Sequence, residues 1–264
     1  MKKLSLLYAF LALFTTHNNF GYAIKAIFFD IEAIFQTDSM RASSYVGKID
    51  SLRYLSQVGH LPSQQDLFNA LKPIKATSSQ ITYNNNLEMP LILSDWLTNA
   101  QPREKIQDII KRYLSNKNIS DIEKKVLFAV VSMMLTPQHL ADTQKIRSKI
   151  ETILQALKQQ HYKIYLVGNW SHIHSMRQEF PELFTLFSGI FVSGDIHTLK
   201  PHAPFYEYIL NKTGIAKNNA LWVEIEPNFA QNATKLGYLT AQFNPENPKA
   251  LPGLLQKFNI HINL

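Results

Sequence analysis

Apolar positions along the chain follow two alternating patterns. Residues 24–29 (IKAIFF) are rich in β-branched and aromatic side chains, and similar runs recur at 163–167 (KIYLV), 189–192 (GIFV) and 221–223 (LWV). A weaker run at 240–243 follows Gly237. Such continuous runs predict strands buried on both faces, not the in–out alternation of a half-exposed sheet. Between them the apolar spacing becomes helical. Over 143–160 it falls on Ile146, Ile150, Ile153, Leu154 and Leu157. Residues 204–213 open on a proline suited to a first helical turn, and 228–236 close on Gly237, a natural cap. Strands that alternate with helices predict parallel βαβ units, hence an α/β fold with a doubly wound, Rossmann-like parallel sheet.

The strand signal stops between Gln36 and Asp142. Helical patterns occupy 51–58, 64–71, 91–99, 103–114 and 119–134, around a polar loop at 78–86 (SSQITYNNN). The predicted organisation is therefore a core made of residues 24–35 and 143–264, with a helical insert at 36–142.

The first residues follow a third pattern. Lys2 and Lys3 precede an apolar stretch from Leu4 to Phe14, and a polar segment then closes on Gly21-Tyr22-Ala23. A positive start, a short apolar centre and a small-x-small end define a secretory signal. The stretch falls short of the roughly 20 residues that span a bilayer. Residues 1–23 are thus expected to be a signal peptide cleaved after Ala23, leaving no stable membrane anchor and a secreted or periplasmic protein.

Composition narrows the function less. In 264 residues there are 27 Lys and Arg against 20 acids, a net charge of +7 that can favour anionic partners. The basic residues are scattered, with no basic stripe interleaved by aromatics, so nucleic acid is not an expected partner. No cysteine is present, which excludes thiol nucleophiles, thiolate metal sites and disulfides. Oligomeric state is not encoded in any pattern found.

In an open parallel sheet, ligands bind at the carboxyl ends of the strands. The residues leaving the predicted strands are Asp30 with Glu32, Gly168 with Asn169, Lys200 a short way beyond the third run, and Glu224 with Glu226. These positions, their spacing over 24–245, and the stretches SGDIHTLKPHAPFYEYIL (193–210) and EPNFAQNATKLG (226–237) resemble the haloacid dehalogenase (HAD) superfamily. The local match is to its sugar-phosphate phosphatase branch. The resemblance implies a HAD-like hydrolase in which Asp30 is the nucleophile that takes the phosphoryl group, Glu32 the acid–base group and Lys200 the phosphate-binding lysine. It also implies substrate contacts from Gly168 and Asn169, and Mg2+ held by Asp30, Glu32 and Glu224. The partner would be a small phosphorylated substrate and the helical insert a cap.

Several positions depart from the family pattern. Glu32 is one methylene longer than the usual aspartate, Gly168 lacks the usual hydroxyl, and Glu224-Ile225 replaces a pair of aspartates. Two other readings stay open on these residues. One is a catalytically impaired relative that binds a ligand or a protein. The other is a metal-independent carbon–halogen hydrolase, which needs Asp30 and a lysine but no second acid. Trp170, next to Asn169, could line the pocket or simply pack, and His172 and His174 could face a ligand or bind metal, although solvation explains two such loop histidines as well.

Overall fold

The computed structural model describes residues 23–61, 63–75 and 90–262. The expected signal peptide, except Ala23, and the expected loop at 78–86 lie outside the described residues. Among the described residues no helix is long and apolar enough to cross a membrane.

Chain order begins with β1 (Ala26–Asp30), α1 (Ile31–Ile34) and β2 (Phe35–Thr37). The helices α2 (Ser39–Val46), α3 (Lys48–Val58), α4 (Gln64–Leu71), α5 (Leu91–Leu97), α6 (Arg103–Asn116), α7 (Asp121–Leu135) and α8 (Pro137–Asp142) follow. The chain returns through β3 (Gln144–Ile146), α9 (Ile150–Gln159), β4 (Lys163–Gly168), α10 (Ile173–Glu179), α11 (Pro181–Phe184), β5 (Gly189–Val192) and α12 (Ser193–Ile196). It ends with α13 (Ala203–Thr213), β6 (Ala220–Glu224), α14 (Pro227–Lys235), β7 (Leu239–Gln242) and α15 (Leu251–Gln256).

Five strands form one parallel sheet in the order β5-β4-β1-β6-β7. All of β1 is buried because it is the central strand and has helices on both faces. Successive residues point to opposite faces. Ile27 and Phe29 join the layer of α9, α10, α11 and α15, whereas Ala26 and Phe28 join that of α13 and α14. Phe28 stacks between Tyr165 and Trp222, at 4.8 and 4.3 Å between ring centroids, which ties three strands together side by side. Burying each such ring is worth about 1.5–3 kcal/mol.

A second apolar cluster holds the helices from α2 to α8. Ile106, Ile110 and Leu114 recur at four-residue intervals on α6 and meet Val126, Val130 and Met134 of α7. Capping boxes at Ser63/Asp66 and Ser120/Glu123 start α4 and α7, each satisfying backbone donors that a helix leaves unpaired. Trp170 and Leu199, from the side of the sheet, complete this cluster.

The helix expected over 143–160 is in fact two elements. Residues 144–146 form β3, antiparallel to β2, with Phe35 opposite Ile146 and Thr37 opposite Gln144. Lys149 then adopts a left-handed backbone (φ 66°), so α9 starts only at Ile150. Strand pairing has overridden the local helical spacing.

Candidate active site

The strand register brings the site together. Strand β1 lies between β4 and β6, and the order turns outward on either side of it, so ligands are expected at their carboxyl ends. Asp30 is level with Val167, one residue before Gly168, and Phe29 is level with Val223, one residue before Glu224. Asp30 and Glu224 therefore leave adjacent strands at the same height.

Asp30 ends β1 and caps the short α1, its Oδ1 accepting from Glu32 N–H at 3.0 Å. Its Oδ2 accepts from the Lys200 ammonium, 170 residues away along the chain. Lys200 also donates to Glu224 Oε2 at 2.7 Å, and the Phe229 ring covers its Nζ at 5.3 Å. The lysine side chain is only 1% exposed, so it survives as a cation through these two carboxylates. Burial alone would lower its pKa, but the charges of Asp30 and Glu224 hold it above the ordinary lysine range.

Glu224 is pushed up to about 8, first by burial, with Lys200 pulling down and Asp30 pushing up. Its Oε1 and the Tyr206 hydroxyl are both buried, and the two groups interact with each other. Tyr206 is shifted well above its usual value by burial and by the charges of Glu224 and Asp30. Two buried carboxylates side by side offer the oxygen donors that a hard cation takes. Mg2+ is bound through one or two carboxylates plus waters and phosphate oxygens, so the donor set of Asp30 and Glu224 fits it. Among the described residues no three His, Cys, Asp or Glu already stand in a ligating cluster.

Asn169 holds Lys200 in place. Its Oδ1 accepts from Ser193 Oγ at 2.6 Å and from Lys200 N–H at 2.9 Å, and its Nδ2 donates to Lys200 O at 3.4 Å. The side chain expected to touch substrate is thus engaged by the backbone of the lysine. Gly168 ends β4 where a β-carbon would lie 2.9 Å from Ile31 Cγ2 and 3.1 Å from Ile173 Cδ1. The hydroxyl-bearing side chain that the family pattern places there has no room unless both isoleucines move.

Glu32 stands on the wall of a cavity of ≈ 200 Å³, lined also by Gln144, Arg147, Met134, Trp170 and His172. Its carboxyl is raised to about 7, first by burial, then by Asp30 and Glu226, against Lys200 and Arg147. An acid poised near neutrality is suited to proton transfer. His172 is kept neutral by burial, its pKa lowered to about 3, and its Nδ1 is buried without a partner among the described residues. His174 instead pairs with Asp195 at 2.9 Å on the surface. Arg147 and Gln144 escaped sequence reasoning, because polar residues inside an expected helix carry no signal of a cavity. The insert closes over this region: Trp96 packs on Trp170 at 5.6 Å, and Asn99 Nδ2 donates to Gly194 O at 3.0 Å.

Known proteins agree with this architecture. The sequence model of the family described as haloacid dehalogenase-like hydrolase matches residues 56–242, a stretch that contains Gly168, Asn169, Lys200 and Glu224 and begins after Asp30. A HAD-like family hydrolase of Porphyromonas gingivalis is similar in fold, with TM-score 0.57, 13% identity, and coverage of 90% of this chain and 99% of that one. A HAD family enzyme of Bacteroides thetaiotaomicron, crystallised with magnesium and inorganic phosphate, has TM-score 0.52 and 15% identity, with 84% and 96% covered. A dehalogenase has TM-score 0.53 and 16% identity, with 84% and 85% covered. With the family model spanning more than half of its length, the chain belongs to the haloacid dehalogenase-like hydrolases.

Proposed function

We propose that the protein is a phosphatase that works through an aspartyl-phosphate on Asp30. The observation that carries this reading is the Lys200 ammonium held between the Asp30 and Glu224 carboxylates at the carboxyl ends of adjacent strands. An Asp30 oxygen attacks phosphorus, forming an acyl-phosphate as the bond to the alcohol oxygen breaks. Glu32, protonated, gives its proton to that leaving oxygen. As a carboxylate it then takes a proton from water, which attacks phosphorus, releases phosphate and frees Asp30. Lys200 offsets charge on the phosphoryl oxygens throughout.

Asp30 and Glu224 would hold Mg2+, the ion bound with phosphate in the Bacteroides enzyme; it supplies further positive charge there. Helices α2–α8 serve as the cap that encloses substrate. Export before action, with Ile24 as the mature N-terminus, is the further part of this reading that the signal pattern supports.

Hydrolysis of an aryl phosphate, with magnesium and with chelator, beside Asp30→Asn, tests the proposal. Magnesium-dependent turnover that disappears in Asp30→Asn is the expected result. Turnover equal to that of Asp30→Asn defeats it. The crowding at Gly168 favours one alternative, a ligand-binding relative without turnover. Phosphate binding without hydrolysis would be its signature.

A further inference from the structure

Helix α3 turns a face to water that internal packing does not explain. Ser51 and Tyr54 point into the insert, whereas Ile49 is 67% exposed, Leu52 63% and Leu55 37%. These three apolar residues follow one another at three-residue steps, so they form one strip along the outside of the helix. Lys48 lies one turn before Leu52 and Arg53 one turn after Ile49, and both are exposed, so a cation borders the strip on either side. Among the described residues neither cation makes an ion pair. The acids around them are already engaged. Asp50, on the same helix, pairs with Lys125 at 2.7 Å, and Asp121 of α7 stands 3.9 Å from Lys124. Asp66 and Glu123 complete the capping boxes of α4 and α7. Asp38 caps α2 and lies 3.5 Å from Lys145. A single exposed leucine is ordinary; an apolar strip flanked by unanswered positive charge is a surface built for contact.

We propose that α3 docks the protein on an anionic lipid surface, with Ile49, Leu52 and Leu55 entering the headgroup layer and Lys48 and Arg53 meeting lipid phosphates. A helix lies in a membrane interface when one side is apolar and basic residues edge it. The long stems of lysine and arginine cover apolar surface while their charged heads stay in the polar layer. The outer side of one helix is convex, and a fluid headgroup layer moulds to it, whereas peptides dock in grooves. A second copy of the chain fits worse, because a two-fold contact on so narrow a strip brings the same unpaired cations together. The inference does not depend on the phosphatase reading, since it uses no residue at the strand ends.

Because the chain has no cysteine, a polarity-sensitive dye can be attached at one chosen position of the full protein. Leu52→Cys carries it on the strip, and Leu236→Cys carries it on exposed surface of the core. Each labelled protein is mixed with phosphatidylcholine vesicles made with or without phosphatidylglycerol. The expected result is a blue shift at Leu52→Cys on the phosphatidylglycerol vesicles only, and none at Leu236→Cys. Adding Lys48→Gln and Arg53→Gln should raise the lipid concentration needed for half of the shift by ~10- to 30-fold, since each basic residue near an anionic surface contributes roughly fivefold. All of these positions face water, and circular dichroism checks that the variants stay folded. No shift with phosphatidylglycerol, a shift unchanged by loss of both cations, or an equal shift at Leu236→Cys overturns the inference. So does a shift that grows with protein concentration in the absence of lipid, which would seat a second copy on the strip.

Discussion

Asp30 and Glu224 end neighbouring parallel strands at the same height, and their carboxylates share the ammonium of Lys200. All three groups are buried, so each depends on the others for its charge. Removing one partner of a buried ion pair leaves an uncompensated charge.

Lys200→Met is therefore expected to destabilise the fold by about 3–5 kcal/mol. Adding Glu224→Gln should recover part of that loss, because the two positions act on one charge balance. Denaturant midpoints of the two single variants and the double variant measure it. Additive losses would show that the trio is not coupled.

Gly168→Ser is expected to damage the protein and not to restore a missing donor. Its β-carbon would press on Ile31 and Ile173, which fill the space. Overpacking of this kind costs about 1–3 kcal/mol. Ile31→Ala in the same chain should relieve the clash, so the double variant loses less than the sum of the singles in thermal melts. A Gly168→Ser protein as stable as the parent contradicts the crowding.

His172 makes stability depend on pH. Its folded-state pKa of about 3 lies below the ordinary 6.5, so the fold binds fewer protons there than the unfolded chain. Its contribution is complete above 6.5 and is lost as pH falls toward 3, at about 1.4 kcal/mol per pH unit. Glu32 and Glu224, raised by burial, act in the opposite direction as pH rises. The clean readout is thus the difference between parent and His172→Gln across pH 4 to 7. A flat difference would mean that the imidazole is hydrated.

Phe28→Ala should cost about 3–5 kcal/mol, since it removes the ring stacked between Tyr165 and Trp222. Urea denaturation checks it. A loss under about 1 kcal/mol, the size of a surface change, would mean that the three-strand stack contributes little.

Much of the fold and part of the site are legible in the chain alone. An apolar run ending in an acid marks a buried strand whose exit faces a ligand, and Asp30, Lys200 and Glu224 do meet. The signal fails where tertiary contacts outweigh local pattern. Three-residue strands such as β2 and β3 carry too little periodicity to see, and Lys149 takes a left-handed turn without the glycine or asparagine that announces one. At Gly168 the sequence shows a hydroxyl absent; only packing shows that Ile31 and Ile173 occupy its place. Asn169 is visible as a polar residue at a strand end, but its hold on the Lys200 backbone depends on a loop 31 residues later.

The short β2–β3 ladder also governs how the insert is attached. Thr37 faces Gln144, so the chain leaves the sheet and returns to it at a single doorway. Seen from the sheet, everything between is one very long hairpin loop. The entropy of closing a loop grows only logarithmically with its length. The sheet is therefore almost indifferent to how many helices are threaded through that doorway, and the insert can be rebuilt from the ladder outward without redrawing the strands that carry Asp30 and Glu224.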